Sequence, residues 1–230
     1  MRLGAVVPML TVALFAWQPA AQAAAKLDTE VKKFSYAQGA DLGKEILNTK
    51  FTFDHEQLVE GLKDSLAGGK MRMTQEEMDA VRSSVIRKKR EQAIAKVKKM
   101  AGENQQLAED FLSKNSRAKG VRSTPSGLQY KVLTQGTGKK PTLENKVKVH
   151  YEGKLLNGKV FDSSYKRGEP VSFGLDQVIP GWTEGVQLMN VGSTYQLFIP
   201  PQLAYGKRGR PPVIPPQSLL VFKVELLSVE

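Results

Sequence analysis

Cysteine is absent from the 230 residues, and histidine occurs only as His55 and His150. Without cysteine the chain forms no disulfide and has no thiol nucleophile, so its stability has to come from packing. With two histidines on separate segments, a zinc site or a histidine-based triad is out of reach. His55 falls in a helical pattern and His150 on the outward face of a strand pattern, and both read as surface residues. A phosphate-cradling glycine loop with its Lys and Ser/Thr is missing, as is a G-x-S-x-G elbow, and nothing calls for a cofactor or a metal. Long apolar runs are scarce too. The main one, Leu3 to Trp17, is interrupted by Pro8 and falls short of the roughly 20 residues a membrane span needs. It follows Arg2 and precedes Ala21-Gln22-Ala23, so residues 1–23 are expected to be a cleaved signal peptide. Export to the periplasm follows, with the mature protein either free there or associated with an outer membrane. No cysteine after the cleavage site is available for a lipid anchor.

What the chain has in excess is positive charge, a formal +11. Lys and Arg are scattered over both halves, and the one dense run, Arg87-Lys88-Lys89-Arg90, sits inside a long helical pattern. That distribution fits a solvated helix or attraction to an anionic surface better than a phosphate-tracking groove, so no nucleic-acid partner is expected.

Between Asp28 and Ser116 the periodicity is helical throughout. A first helix over about 29–48 carries Val31, Phe34, Gln38, Leu42 and Ile46 on one side. A second starts at Asp54 as N-cap, with Gln57 three residues on, and stops at Gly68-Gly69. A third opens with the capping box Thr74 to Glu77 and runs without proline to about Asn115, roughly 60 Å at 1.5 Å per residue. Its ends are amphipathic and its middle is charged, which predicts a spacer over 86–106, with Gly102 as the point where it would bend or break. The short helices bury too little to stand alone, so a homodimer through residues 26–85 is expected.

After residue 115 the composition turns to Ser, Arg, Lys, Gly and Pro, and then the period changes to two. Leu128 to Leu133, Val147 to Tyr151, Ser193 to Ile199 and Leu219 to Leu227 read as strands, and Asn157-Gly158 as a hairpin turn. A single short helix is expected over Trp182 to Met189. The fold class is α+β: a helical N-terminal domain (26–73), a long connecting helix (74–115), a linker (116–124) and a half-buried antiparallel sheet with one helix on it (125–230).

The second half also places aromatic and apolar residues at turns and strand ends, where polar groups are usual: Tyr151, Phe161, Phe173, Val178-Ile179, Trp182, Tyr205, Ile214 and Phe222. If these converge, with Asp162 and the Tyr205 hydroxyl as polar handles, they form a concave apolar pocket.

The stretches Val149-His150-Tyr151-Glu152-Gly153, Gly158 to Ser164, Val178-Ile179-Pro180-Gly181-Trp182, Ile199-Pro200-Pro201, Leu203-Ala204-Tyr205-Gly206 and Ile214 to Leu226 resemble the FKBP-type prolyl isomerase signature in order and spacing. The helical half resembles the dimerisation domain of the macrophage infectivity potentiator group, through Ser35-Tyr36-x-x-Gly39-x-x-Leu42-Gly43 and Phe53-Asp54 to Gly61. The resemblance implies a peptidyl-prolyl cis-trans isomerase with Asp162, Tyr205, Phe161 and Trp182 in catalytic positions. Tyr151, Phe173, Val178, Ile179, Ile214 and Phe222 would be substrate-binding. It further implies unfolded or proline-containing polypeptides as clients, and tacrolimus or rapamycin as pocket ligands. Val171 stands where many members carry an aromatic residue, and Arg210 where some carry His. The alternative is a chaperone that binds unfolded clients without catalysis.

Overall fold

The computed structural model describes residues 26–230, so the signal peptide expected over 1–23 lies outside the described residues. The chain divides after Thr74 into two compact units.

The first unit holds α1 (Glu30–Asn48) and α2 (His55–Leu66). Each starts where a side chain satisfies an orphan N–H. Thr29 Oγ1 accepts from Lys32 N at 3.2 Å and Asp54 Oδ1 from Gln57 N at 3.1 Å. Neither helix contains a buried residue. Phe34 is 65% exposed and Leu66 80%, and Phe34, Gln38, Leu42, Leu62 and Leu66 line an open apolar groove.

The second unit begins with α3 (Gln75–Asn115), 41 residues that continue through Gly102 without a break. Seven strands follow in one antiparallel sheet: β1 (Val121–Ser123), β2 (Gln129–Thr134), β3 (Lys146–Leu155), β4 (Val160–Ser163), β5 (Val171–Gly174), β6 (Thr194–Ile199) and β7 (Leu220–Val229). The order is β1-β2-β6-β7-β3-β4, with β5 pairing the first half of β3. Alternation along β7 buries Leu220, Phe222, Val224 and Leu226 on one face, as its period of two requires.

Several features depart from expectation. Residues 121–123, within the stretch read as a linker, form edge strand β1 against β2. A one-turn helix, α4 (Ser164–Arg167), follows β4, because the Ser163 hydroxyl caps Lys166 N at 3.3 Å and Gly168 takes the left-handed turn at φ 82°. The last turns of α3 are also no free spacer. Gln129 Nε2 donates to Leu112 O at 2.9 Å, Phe111 packs on Phe198 with ring centres 5.6 Å apart, and Asn104 Nδ2 donates to Pro216 O at 2.8 Å.

α5 (Pro180–Gln187) packs against β6 and buries Trp182 in the core. Proline at its first position begins the helix two residues earlier than the apolar pattern suggested. Gly181 and Gly185, four apart, are what let it sit on β6. A β-carbon at Gly181 would lie 2.3 Å from Ile199 Cγ2, and one at Gly185 2.8 Å from Leu197 Cδ1. Gly181→Ala should therefore destabilise the unit by about 1–3 kcal/mol through overpacking. Urea unfolding followed by circular dichroism would measure this. An unchanged midpoint would mean that α5 has room the packing does not show.

Among the described residues, no helix is long and apolar enough to cross a membrane.

Candidate functional site

The pocket lies between α5, the concave face of β3 and β7, and the loop joining β6 to β7. Its volume is about 550 Å³, and it is lined by Tyr151, Asp162, Phe173, Gln177, Val178, Ile179, Pro180, Trp182, Tyr205, Arg210 and Phe222. Of the ten candidate catalytic and substrate-binding residues, the structure brings eight onto one surface. Phe161 and Ile214 are not on it. Phe161 stands behind Phe222, ring centres 5.5 Å apart and nearly perpendicular, while Ile214 is buried under the loop as its anchor in the core.

Trp182 forms the floor. Three rings meet it edge-on: Tyr151 at 5.2 Å, Phe222 at 5.3 Å and Phe173 at 5.7 Å. Such perpendicular pairs set the positive edge of one ring against the negative face of another. The Trp182 indole N–H is the one fully buried side-chain polar atom without a hydrogen-bond partner among the described residues.

The polar wall is built from β3, β4 and α4. Tyr151 Oη donates to Asp162 Oδ2 at 2.6 Å, Arg167 Nη2 donates to Tyr151 Oη at 2.9 Å, and Arg167 Nη1 pairs with Asp162 Oδ1. Partial burial pushes the Asp162 carboxyl up, but the hydrogen bonds from Tyr151 and Arg167 and the guanidinium charge outweigh it and hold the group below its usual range. Burial, followed by the bond to Asp162, pushes the Tyr151 phenol up. Across the working pH range the wall is thus a carboxylate, a neutral phenol and a guanidinium locked together.

Ser164 holds the other side of Tyr151. Its hydroxyl, fully buried, accepts from Tyr151 N at 2.8 Å and donates to Tyr151 O at 3.2 Å. Arg167 and Ser164 were not singled out by sequence reasoning. The signal available for them was the Ser163 cap and Gly168 stop of a short helix packed beside Asp162.

Two donors in the pocket are unspent. The Ile179 carbonyl accepts from Trp182 N at 2.8 Å and Thr183 N at 3.1 Å as the N-cap of α5, but no described group accepts from the Ile179 N–H. The Tyr205 hydroxyl, on the β6–β7 loop, likewise has no partner among the described residues. The arrangement offers an apolar floor and two free donors.

Comparison with known proteins bears on this directly. Residues 137–227 match the family described as FKBP-type peptidyl-prolyl cis-trans isomerase, and residues 31–132 match the domain amino terminal to it. The chain is 42% identical over 211 residues to the outer membrane protein MIP of Legionella longbeachae, covering 92% of this chain and 91% of that one. It is 45% identical over 220 residues to the FKBP-type peptidyl-prolyl cis-trans isomerase FkpA of Aeromonas hydrophila, covering 93% and 81%. Among solved structures, FkpA from Escherichia coli superposes with a TM-score of 0.74 at 39% identity over 89% of this chain and 99% of that one. Relatives this similar over nearly their whole length, in helical half and sheet alike, show that the chain belongs to the FKBP-type peptidyl-prolyl cis-trans isomerases.

Proposed function

We propose that the enzyme isomerises X–Pro bonds in unfolded exported polypeptides, with the proline ring on Trp182 and the flanking carbonyls taken by the Ile179 N–H and the Tyr205 hydroxyl. The observation that carries this reading is the coincidence of two unspent donors with an aromatic floor in one 550 Å³ pocket.

Rotation about an X–Pro bond is slow because resonance gives the amide partial double-bond character. That resonance also separates charge, negative on oxygen and positive on nitrogen, so water favours the planar amide more than the twisted one. Phe173, Trp182, Val178 and Phe222 replace that water with apolar surface and raise the planar form relative to the twisted form. Donors placed to fit the twisted peptide add stabilisation that the ground state does not receive in full. Proton transfer is not required, consistent with a chain that has two histidines, neither of them lining the pocket. Asp162 acts through position, fixing Tyr151 and the rim.

The finer reading concerns the whole molecule. The apolar groove on α1 and α2, with no buried residue beneath it, fits a second copy of this chain or an unfolded client, and so favours a homodimer through residues 26–85 with chaperone activity beside catalysis. The name of the Legionella relative refers to an outer membrane, which accords with export to the periplasm and association with that membrane. Tacrolimus and rapamycin would occupy the pocket over Trp182.

A protease-free assay of cis-to-trans relaxation in an Ala-Leu-Pro-Phe peptide tests the reading with the full mature chain. Saturable acceleration, competed away by tacrolimus or rapamycin, is expected. Folded protein that gives no acceleration would overturn it.

A further inference from the structure

Two of the residues lining the pocket carry charge, and only one is neutralised. Asp162 is paired with Arg167 and bonded by Tyr151. Arg210 has no carboxylate within 4 Å, and the acids on either side of β5, Glu169 and Asp176, do not line the pocket. Lys207 and Arg208, exposed on the same loop, are likewise without a carboxylate partner among the described residues. The mouth of the pocket therefore has an uncompensated positive charge.

The mount of that charge is rigid while its side chain is free. Arg210 N donates to Ile214 O at 2.8 Å, and Ile214 N returns to Arg210 O at 2.9 Å. Ile214 is buried, and Pro216, two residues on, accepts from Asn104 Nδ2 of α3 at 2.8 Å. Gly209 reaches the turn with φ +64°, where a β-carbon would stand 2.4 Å from Ile214 O. The backbone is thus fixed at both ends of the turn, and the Arg210 side chain is exposed. Tyr205 lines the same pocket, so a peptide held by its hydroxyl shares that pocket with the Arg210 charge.

We propose that Arg210 makes this isomerase select proline segments with a carboxylate on a residue adjoining the proline. Glu and Asp beside the proline would be favoured over the matching Gln and Asn, and Lys or Arg at those positions disfavoured. The inference rests on the pocket assignment of the preceding subsection, since it presumes the peptide lies over Trp182 and under Tyr205. An exposed ion pair is worth little, so the expected preference is about threefold in kcat/KM and vanishes as salt shortens the reach of charge.

The test uses peptide pairs that differ only by Glu against Gln, placed before the proline in one pair and after it in the other. The full mature chain should favour Glu by about threefold in at least one pair at low ionic strength, and the ratio should approach one in about 0.5 M NaCl. In Arg210→Gln the ratio should be near one already at low salt. That side chain makes no hydrogen bond inside the fold, and the backbone bonds of the turn survive the change. A parent ratio near one in both pairs, or a threefold ratio that persists in Arg210→Gln, overturns the inference and leaves the pocket assignment standing. Failure to isomerise even the Gln peptides would overturn the assignment, and the inference with it.

Discussion

Trp182→Ala should unfold at markedly lower urea than the parent chain, with the catalytic unit destabilised by about 3–5 kcal/mol, the usual cost of truncating a buried aromatic. Trp182 is 4% exposed and takes edge-on contacts from Tyr151, Phe173 and Phe222, so its loss leaves a hole that three rings border. In the variant that remains folded at low temperature, kcat/KM should fall by about a hundredfold, since a floor displaced by an ångström spoils the fit to a twisted peptide. Trp182→Leu separates the two effects. It restores apolar volume, and with it much of the stability, without the flat surface on which the proline stacks. Circular dichroism gives the stabilities and the protease-free assay the rates. Folded Trp182→Ala with parental kcat/KM would show that the reaction takes place elsewhere.

Asp162→Ala should act on rate more than on stability. Its carboxylate organises the wall by bonding Tyr151 and Arg167, and removing a charged hydrogen-bond partner typically costs enough to predict about a tenfold loss of kcat/KM. The side chain is partly exposed, so the folded state gives up little. The pH profile offers a second readout. Because the Asp162 carboxyl is held below its usual range, the ionised form persists in the folded protein to lower pH than in the unfolded chain. Its contribution is therefore present above the unfolded pKa and is lost as pH falls through the folded one. Activity should stay level from neutrality down to the ordinary carboxylate range and drop only below it. Arg167→Ala removes the main opposing charge and should move that acid limb to higher pH. A limb that stays in place would mean that some other group sets it.

Much of this was readable before any coordinates. Helix α2 starts after Asp54, where capping chemistry put it, because a cap is a local bond between a side chain and an N–H two or three residues away. The faces of β7 followed from period two alone. Eight of the ten pocket candidates share one surface, although they come from separate stretches of chain, and for these the family resemblance supplied what periodicity could not. The strand pattern overlooked the three-residue β1, the four-residue β4 and β5, and α4, since segments so short hold too few repeats to stand out from a loop. Arg167 and Ser164 escaped for a related reason. An exposed-looking Arg and a Ser after a strand have no sequence signature until Tyr151 and Asp162 are seen beside them.

The linear order of residues by itself determined where helix gives way to sheet, which faces turn inward, and that no cysteine chemistry was at hand. These follow from contacts within a few residues along the chain, and composition alone settles the last. Tertiary structure alone decided that α5 could lie against β6 through Gly181 and Gly185, that Phe161 and Ile214 would support the pocket from behind, and that Asp162 would be neutralised while Arg210 was not. Each of those depends on which side chains from distant segments come within a few ångströms of one another, and charge and dispersion act over that distance irrespective of sequence separation.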